Sequence, residues 1–293
     1  MSNEVGNSDK TASMSLGVKI HKILRTIVCV FLCFLSLIPF WIMLVNATRP
    51  SVAIQSKFTL VPSTYFLSNF SKLIKQCNAN VPIYRYMLNS FVIAGCSTAL
   101  SVYFSTMTAY GVSVYKFRGR NIAWAFIMAI LMIPTQVSII GFYKFMFNLG
   151  LGDNYIPLIV PAIAAPSTVF FMKQYMESAL PLEIIDAARI DGSGEFKTFN
   201  RIAMPLMKPA VATQAIFAFI LSWNNLFTPS MMLTSQDKAT LPMFIQTMRG
   251  ERFRTDYGII YVGLVVTILP IFVVYFALSK YIIAGVALGG VKE

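Results

Sequence analysis

The chain has 293 residues, of which 56% are hydrophobic and only 12% charged, and its formal net charge is +12. A soluble domain carries about a quarter of its residues as charged side chains, so the composition excludes an ordinary soluble fold and points to one membrane bundle with short extramembrane parts. Nucleic-acid binders cluster Lys and Arg on a soluble face, whereas here the basic residues lie between apolar runs, which suits membrane lipid and topology and gives no nucleic-acid partner.

Residues 1–25 read as an N-terminal tail whose first ten residues are expected to lack structure. Lys19, Lys22 and Arg25 then precede an apolar run that could pass for a signal peptide. That run is long enough to span, contains Pro39 and lacks a small-residue cleavage site before Asn46, so 26–47 is expected to be a retained first transmembrane helix, centred on Ile27 to Asn46. Residues 48–85, with Ser, Asn, Pro and scattered aromatics, read as an ordered extracytoplasmic loop. Five further spans are expected at Asn89–Val114, Ile122–Phe147, Tyr155–Tyr175, Ala210–Met232 and Ile259–Tyr281. They make 86–281 one transmembrane domain, followed by a tail over 282–293.

Lys10, Lys19, Lys22 and Arg25 before the first span, and Lys116, Arg118 and Arg120 in the second short loop, belong inside by the positive-inside rule. Arg49, Lys57, Lys72, Lys75 and Arg85 fall in the long outer loop, where charge counts less. Both termini are therefore expected to be cytoplasmic in a multi-pass inner-membrane protein. Cys29 and Cys33 lie in the first run, Cys96 in the second and Cys77 in the outer loop, without zinc or redox spacing. A single histidine, His21, excludes a multi-histidine metal centre and the HExxH pattern. No metal site, catalytic residue or bound cofactor is expected.

The densest charged stretch, EIIDAARIDGSGEFKTFNRIAMPLMKP, lies between the fourth and fifth spans. Pro181 suits a first helical turn, Glu183 and Asp186 suit the positive helix end, Arg189 the negative end and Gly192 the stop. A second short helix is expected from Glu195 to Arg201 with Phe196 and Phe199 on one face, and Pro205 leads into the fifth span. Ile184, Ala187 and Ala188 share a face by helical periodicity, and small residues there admit a close neighbour. The physics leaves two readings: a docking knob for a cytoplasmic partner, or an amphipathic helix lying on the bilayer.

Glu183, Asp186-Ala187-Ala188, Asp191-Gly192, Ile202 and Met204-Pro205 resemble the EAA loop of ABC importer permeases. Asp186 stands where that pattern usually has Glu, and Met204 where it usually has Leu. NSFVIAGCSTALSVYFSTMTAYGVSVYKFRGRN, IPTQVSIIGFYKFMFNLGL, WNNLFTPSMML and the terminal LSKYIIAGVALGGVKE resemble further segments of the carbohydrate branch. The resemblance implies an all-α type I ABC importer fold with six transmembrane helices and a cytoplasmic coupling helix. It implies a sugar permease subunit working by alternating access, with a second homologous and non-identical permease, two ABC ATPase subunits and an extracytoplasmic sugar-binding protein as partners. ATP would be used by the partner subunits, and no G-x-x-x-x-G-K-[ST] loop occurs in this chain. Glu183, Asp186, Ala187, Ala188, Asp191, Gly192 and Pro205 are the implied coupling residues, and the resemblance implies the tail Gly285 to Glu293 as a further ATPase contact.

A sugar path needs amides, hydroxyls and aromatic faces. Gln136, Trp223, Asn224 and Asn225 are the candidates, with Asn89, Ser90 and Ser222 behind them. Polar side chains in spans also bond neighbouring helices, so both roles stay open. Pro134, Pro157, Pro161 and Pro166 interrupt the third and fourth spans, as rocking elements or as tolerated kinks. A permease for a polyamine, phosphate or similar solute is the nearest rival. Anionic solutes would favour basic residues within spans, and Lys144 near a span end is the one expected there. A lipid enzyme would need clustered His or carboxylates, and an ion-coupled carrier a central carboxylate in a span.

Overall fold

A computed structural model describes residues 5–78, 81–249 and 255–289. Every regular element among them is helical. In chain order these are α1 (Val5–Ala47), α2 (Ser51–Ser56), α3 (Phe66–Asn78), α4 (Ile83–Val114), α5 (Arg120–Leu131), α6 (Thr135–Asn148), α7 (Ile156–Ile159), a 3-10 turn (Val160–Ile163), α8 (Pro166–Ala179) and α9 (Leu182–Ile190). They continue with α10 (Glu195–Thr198), a π turn (Phe199–Ala203), α11 (Met204–Leu206), α12 (Lys208–Trp223), α13 (Phe227–Met232), a 3-10 turn (Gln236–Lys238), α14 (Leu241–Thr247) and α15 (Tyr257–Gly289). The stretch expected to lack structure is already helical from Val5.

Two compact units divide the chain. The first is Met1–Phe70 with Asp256–Val265. Its α1 is 43 residues long, about 65 Å at 1.5 Å per residue, and carries exposed Phe31, Phe34 and Leu37 along the apolar part. The turn after α1 is held by two buried polar side chains. Arg49 Nη2 donates to the Ala53 and Lys57 carbonyls at 2.6 and 2.7 Å, and Asn69 Nδ2 donates to those of Ala47 and Arg49 at 3.0 and 2.9 Å. Gly258 lies against this turn, where a Cβ would sit 2.8 Å from the Arg49 carbonyl oxygen. Only glycine allows that approach. The expected outer loop thus contains α2 and all of α3, and Cys77, assigned to a loop from sequence, sits on α3.

The second unit is Ser71–Thr255 with Val266–Glu293. Its axis is α4, which packs against α8, α12, α14 and the 3-10 turn Val160–Ile163. Ser97, Ser101 and Ser105 recur every fourth residue on one buried face of α4. Small residues let helices approach closely. They also serve the broken stretch opposite, where Pro157, Pro161 and Pro166 lack N–H donors. Ser97 Oγ donates to the Leu158 carbonyl at 3.1 Å and Ser105 Oγ to that of Ala165 at 3.4 Å. Neighbouring hydroxyls re-satisfying freed backbone groups is how a membrane bundle tolerates such breaks.

Of the six expected spans, length and apolar composition account for four or five. Among the described residues four helical stretches are long and apolar enough to cross a membrane: His21–Ala47, Ile83–Val114, Ile156–Ala179 and Tyr257–Tyr281. A fifth exists only if Glu195–Leu206 and Lys208–Trp223, bent by 82°, count together. The third expected span, Ile122–Phe147, is split at Pro134 into α5 and α6, and the 12 residues of α5 cover about 18 Å, short of a hydrocarbon core of about 30 Å. The fifth expected span stops at Trp223, because the chain turns through Asn224 and Asn225 before α13.

Candidate functional site

The loop after α8 is built by its local sequence. Pro181 caps α9 in extended backbone (φ −69°, ψ 117°), Glu183 occupies the first turn and Arg189 the last. The helix ends on a double cap. Ser193 N–H donates to the Ala188 carbonyl at 2.9 Å and Gly192 N–H to that of Arg189 at 3.0 Å, with Gly192 at φ +75°. That six-to-one and five-to-two pair defines a Schellman ending, which needs a left-handed residue at the position of Gly192. The chain then enters α10, and the helix expected from Glu195 to Arg201 continues past Thr198 as a π turn. Asn200 Nδ2 donates to the Phe196 carbonyl at 2.8 Å, and Tyr103 Oη donates to Asn200 Oδ1 at 3.2 Å.

Charges knit the elbow together. Arg189 Nη1 donates to Asp186 Oδ1 at 3.0 Å, and its Nε and Nη2 donate to Glu195 Oε1 and Oε2 at 2.8 and 3.4 Å. The Arg189 guanidinium and the Tyr115 hydroxyl hold the Glu195 carboxyl below its ordinary range. Desolvation, with the Glu195 hydrogen bond second, pushes Tyr115 up to about 12.

The loop rests on a buried cluster of Ala109, Tyr110, Met172, Met176, Ile185, Phe199, Ala203 and Met207. Ile185 and Ala188 are the buried face of α9. Ile184, Ala187 and Asp186 point outward with Leu182, and Ile190 is 87% and Phe196 69% exposed. The shared face expected for Ile184, Ala187 and Ala188 is therefore divided, and so is that expected for Phe196 and Phe199. Glu183, Asp191, Gly192 and Pro205 are also exposed. The elbow is thus fixed by its cap, buried on one side, and presents mixed apolar and acidic side chains on the other.

Residues 101–287 match the family described as "Binding-protein-dependent transport system inner membrane component". The chain belongs to that family. The arabinooligosaccharides transport system permease protein AraQ of Halalkalibacterium halodurans is 37% identical over 272 residues, covering 92% of this chain and 96% of the relative. The lactose transport system permease protein LacG of Rhizobium radiobacter is 30% identical over 260 residues, 88% of this chain and 92% of the relative. A bacterial ABC transporter involved in alginate import has a chain with the same fold (TM-score 0.74, 20% identity), covering 90% of this chain and 96% of its own. The chain is thus a non-enzymatic permease component of an inner-membrane ABC importer with a type I fold, which implies ATPase and substrate-binding partners.

Among the described path candidates of this permease, Trp223 is packed and Asn224 and Asn225 lie at helix ends. Trp223 is 2% exposed, stacks on Phe219 at 5.5 Å and donates its indole N–H to the Thr267 carbonyl at 3.0 Å. Asn224 ends α12 at an exposed position, and Asn225, just before the Leu226 N-cap of α13, accepts from the Thr228 N–H at 3.2 Å. The Gln136 side chain and the side chains of the tail from 282 onward lie outside the described residues. Asn89 Nδ2 donates to the Asp237 and Ala239 carbonyls at 2.8 and 2.9 Å, and Ser90 Oγ accepts from Leu241 N–H at 2.8 Å. Both clamp a loop.

Sequence reasoning passed over two charged residues. Lys173 on α8 is 8% exposed, pairs with Glu177 and lies 4.4 Å from the Trp124 ring centroid. Its charge is thus met within the protein, although its place within the expected fourth span made it legible. Asp153, at φ +52°, holds the loop after α13. It accepts from Ser235 Oγ at 2.7 Å and from the Ser235 and Thr234 N–H groups at 3.0 Å each, and Lys238 Nζ donates to Oδ2 at 2.9 Å. These bonds, the Ser235 hydroxyl first, hold its carboxyl well below the usual range.

A lowered pKa means that the folded loop gains from the carboxylate at every pH above the ordinary value of about 4 and loses that gain as pH falls through the lowered value. Protection of the Thr234 and Ser235 amides from hydrogen exchange is expected to persist at mildly acidic pH. In Asp153→Asn the same amides should exchange about tenfold faster at neutral pH, from the loss of charge-assisted bonds. Equal protection in the two proteins would show that the carboxylate does not hold this loop.

Proposed function

We propose that the chain is the permease subunit of an ATP-driven importer that carries a mono- or oligosaccharide across the inner membrane by alternating access. The observation carrying the sugar assignment is the 37% identity to an arabinooligosaccharide permease over 92% of the chain. The exposed elbow supports a coupling role for Glu183, Asp186, Ala187, Asp191 and Gly192, with Ala188 and Pro205 shaping the loop. In this reading the elbow and both termini face the cytoplasm. The chain binds no cofactor and ATP is used by two ATPase subunits. A second, non-identical permease completes the path, a sugar-binding protein delivers from outside, and lipid covers the exposed apolar side chains. Gln136, Asn224 and Asn225 remain the path candidates, and Trp223 acts through packing.

Deletion of the gene and measurement of accumulated labelled arabinotriose, maltose, lactose and raffinose tests the assignment. Loss of uptake of at least one sugar, restored by the gene on a plasmid, is the expected result. Unchanged uptake across a wider saccharide panel would remove the carbohydrate reading.

A further inference from the structure

Chain connectivity joins the elbow directly to α12, through Met207 at φ −86° and ψ 2°, where the two helical arms bend by 82°. A push on the elbow transmitted through that joint alone would tend to fold it. The side chains supply a second attachment. Tyr115, the residue after α4, donates its hydroxyl to Glu195 Oε2 at 2.6 Å. Glu195 holds Arg189 on α9 through both oxygens, and the Arg189 guanidinium lies 5.4 Å from the Tyr115 ring centroid. One carboxylate therefore ties α9, α10 and the end of α4. Aromatic packing continues beneath it: Tyr110 meets Tyr115 edge-on at 5.9 Å and Phe199 at 5.4 Å.

We propose that Glu195, with Arg189 and Tyr115, rivets the coupling elbow to the inner end of α4, so that the ATPase stroke reaches α4 and α12 together. Glu195 is a positioning residue in this scheme and touches neither sugar nor nucleotide. The inference rests on the permease reading above. Its mechanical sense follows from triangulation, since a lever fixed at two helices cannot pivot on one residue. The far end of α4 holds the Asp237 and Ala239 carbonyls through Asn89, so a stroke delivered to α4 also reaches the loop between α13 and α14.

The test uses the intact importer, purified with its partner subunits, in proteoliposomes. Uptake of the sugar that the wild type accumulates is measured beside ATP hydrolysis. Glu195→Gln keeps the size and removes the charge. Sugar moved per ATP is expected to fall about tenfold, the scale set by loss of bonds to a charged group, while ATPase co-purification and thermal stability stay at the wild-type level. The swapped pair Arg189→Glu with Glu195→Arg should recover most of the ratio, and Tyr115→Phe should lower it less than Glu195→Gln. An unchanged ratio in Glu195→Gln overturns the proposal. So does a joint loss of co-purification and stability, which would make the contact merely structural. Failure of the wild-type importer to move any sugar would instead overturn the permease reading.

Discussion

Gly192→Pro is expected to abolish recovery of the ATPase with this chain while leaving the chain in the membrane. Two effects act together. Proline fixes φ near −65°, whereas the backbone at this position stands at +75°. Proline also has no N–H, and the Gly192 N–H closes the cap on the Arg189 carbonyl at 3.0 Å. The α9 ending cannot form, so Arg189 and Glu195 lose their mutual position and the exposed apolar side chains scatter. The damage stays local. Nothing lies within 4 Å of a Cβ built at Gly192, so no core packing is disturbed. The spanning stretches at α1, α4, α8 and α15 do not use this residue, and they hold the protein in the bilayer. Gly192→Ala separates the two effects, because it keeps the N–H and meets open space. A left-handed alanine costs about 1–2 kcal/mol, so co-purification should drop about tenfold without vanishing. Wild-type recovery of the ATPase with Gly192→Pro would place the contact elsewhere.

The parts of this chain that could be read from sequence are those where one physical signal acts alone. The run from Ile27 to Asn46 is apolar throughout apart from Pro39, and α1 covers it. Gly192 could be read as a helix stop because glycine after a basic last turn has few other uses, and the cap has that form. Where two signals compete, the reading divides. Ile122 to Phe147 is apolar enough to span, yet Pro134 cannot continue a helix from the residues before it, and α5 and α6 separate there. Pro161 and Pro166 announce a break in the fourth span, but nothing local reveals that Ser97 and Ser105 on α4 hold the carbonyls along it. The triplet Trp223-Asn224-Asn225 has the chemistry of a sugar site and also lies where α12 ends and the chain turns into α13. Amide groups serve either end equally well, so composition could not decide. Asp153 lies some eighty residues from Ser235 in sequence, and no spacing rule finds such a pair.

Ala187 and Ala188 carry the sharpest test of which face meets the partner. Periodicity could not orient α9, because Leu182, Ile184, Ile185, Ala187, Ala188 and Ile190 put apolar residues on almost every side. Burial orients it: Ala188 is 7% exposed over the core that holds Ile185, and Ala187 faces outward. The two neighbours should therefore respond in opposite ways to the same added bulk. Ala187→Phe is expected to leave the melting temperature unchanged and to cut ATPase recovery and sugar uptake together by tenfold or more, about 1.4 kcal/mol of docking energy. Ala188→Phe should destabilise the protein by about 1–3 kcal/mol through overpacking, with a lower melting temperature as the first sign. Cysteines at the two positions give a second readout. A short crosslinker at 187 should capture the ATPase subunit, and one at 188 should not. Should position 188 crosslink and 187 stay silent, α9 would have to turn over on docking, and the Ile185 side chain would have to leave its core to allow it.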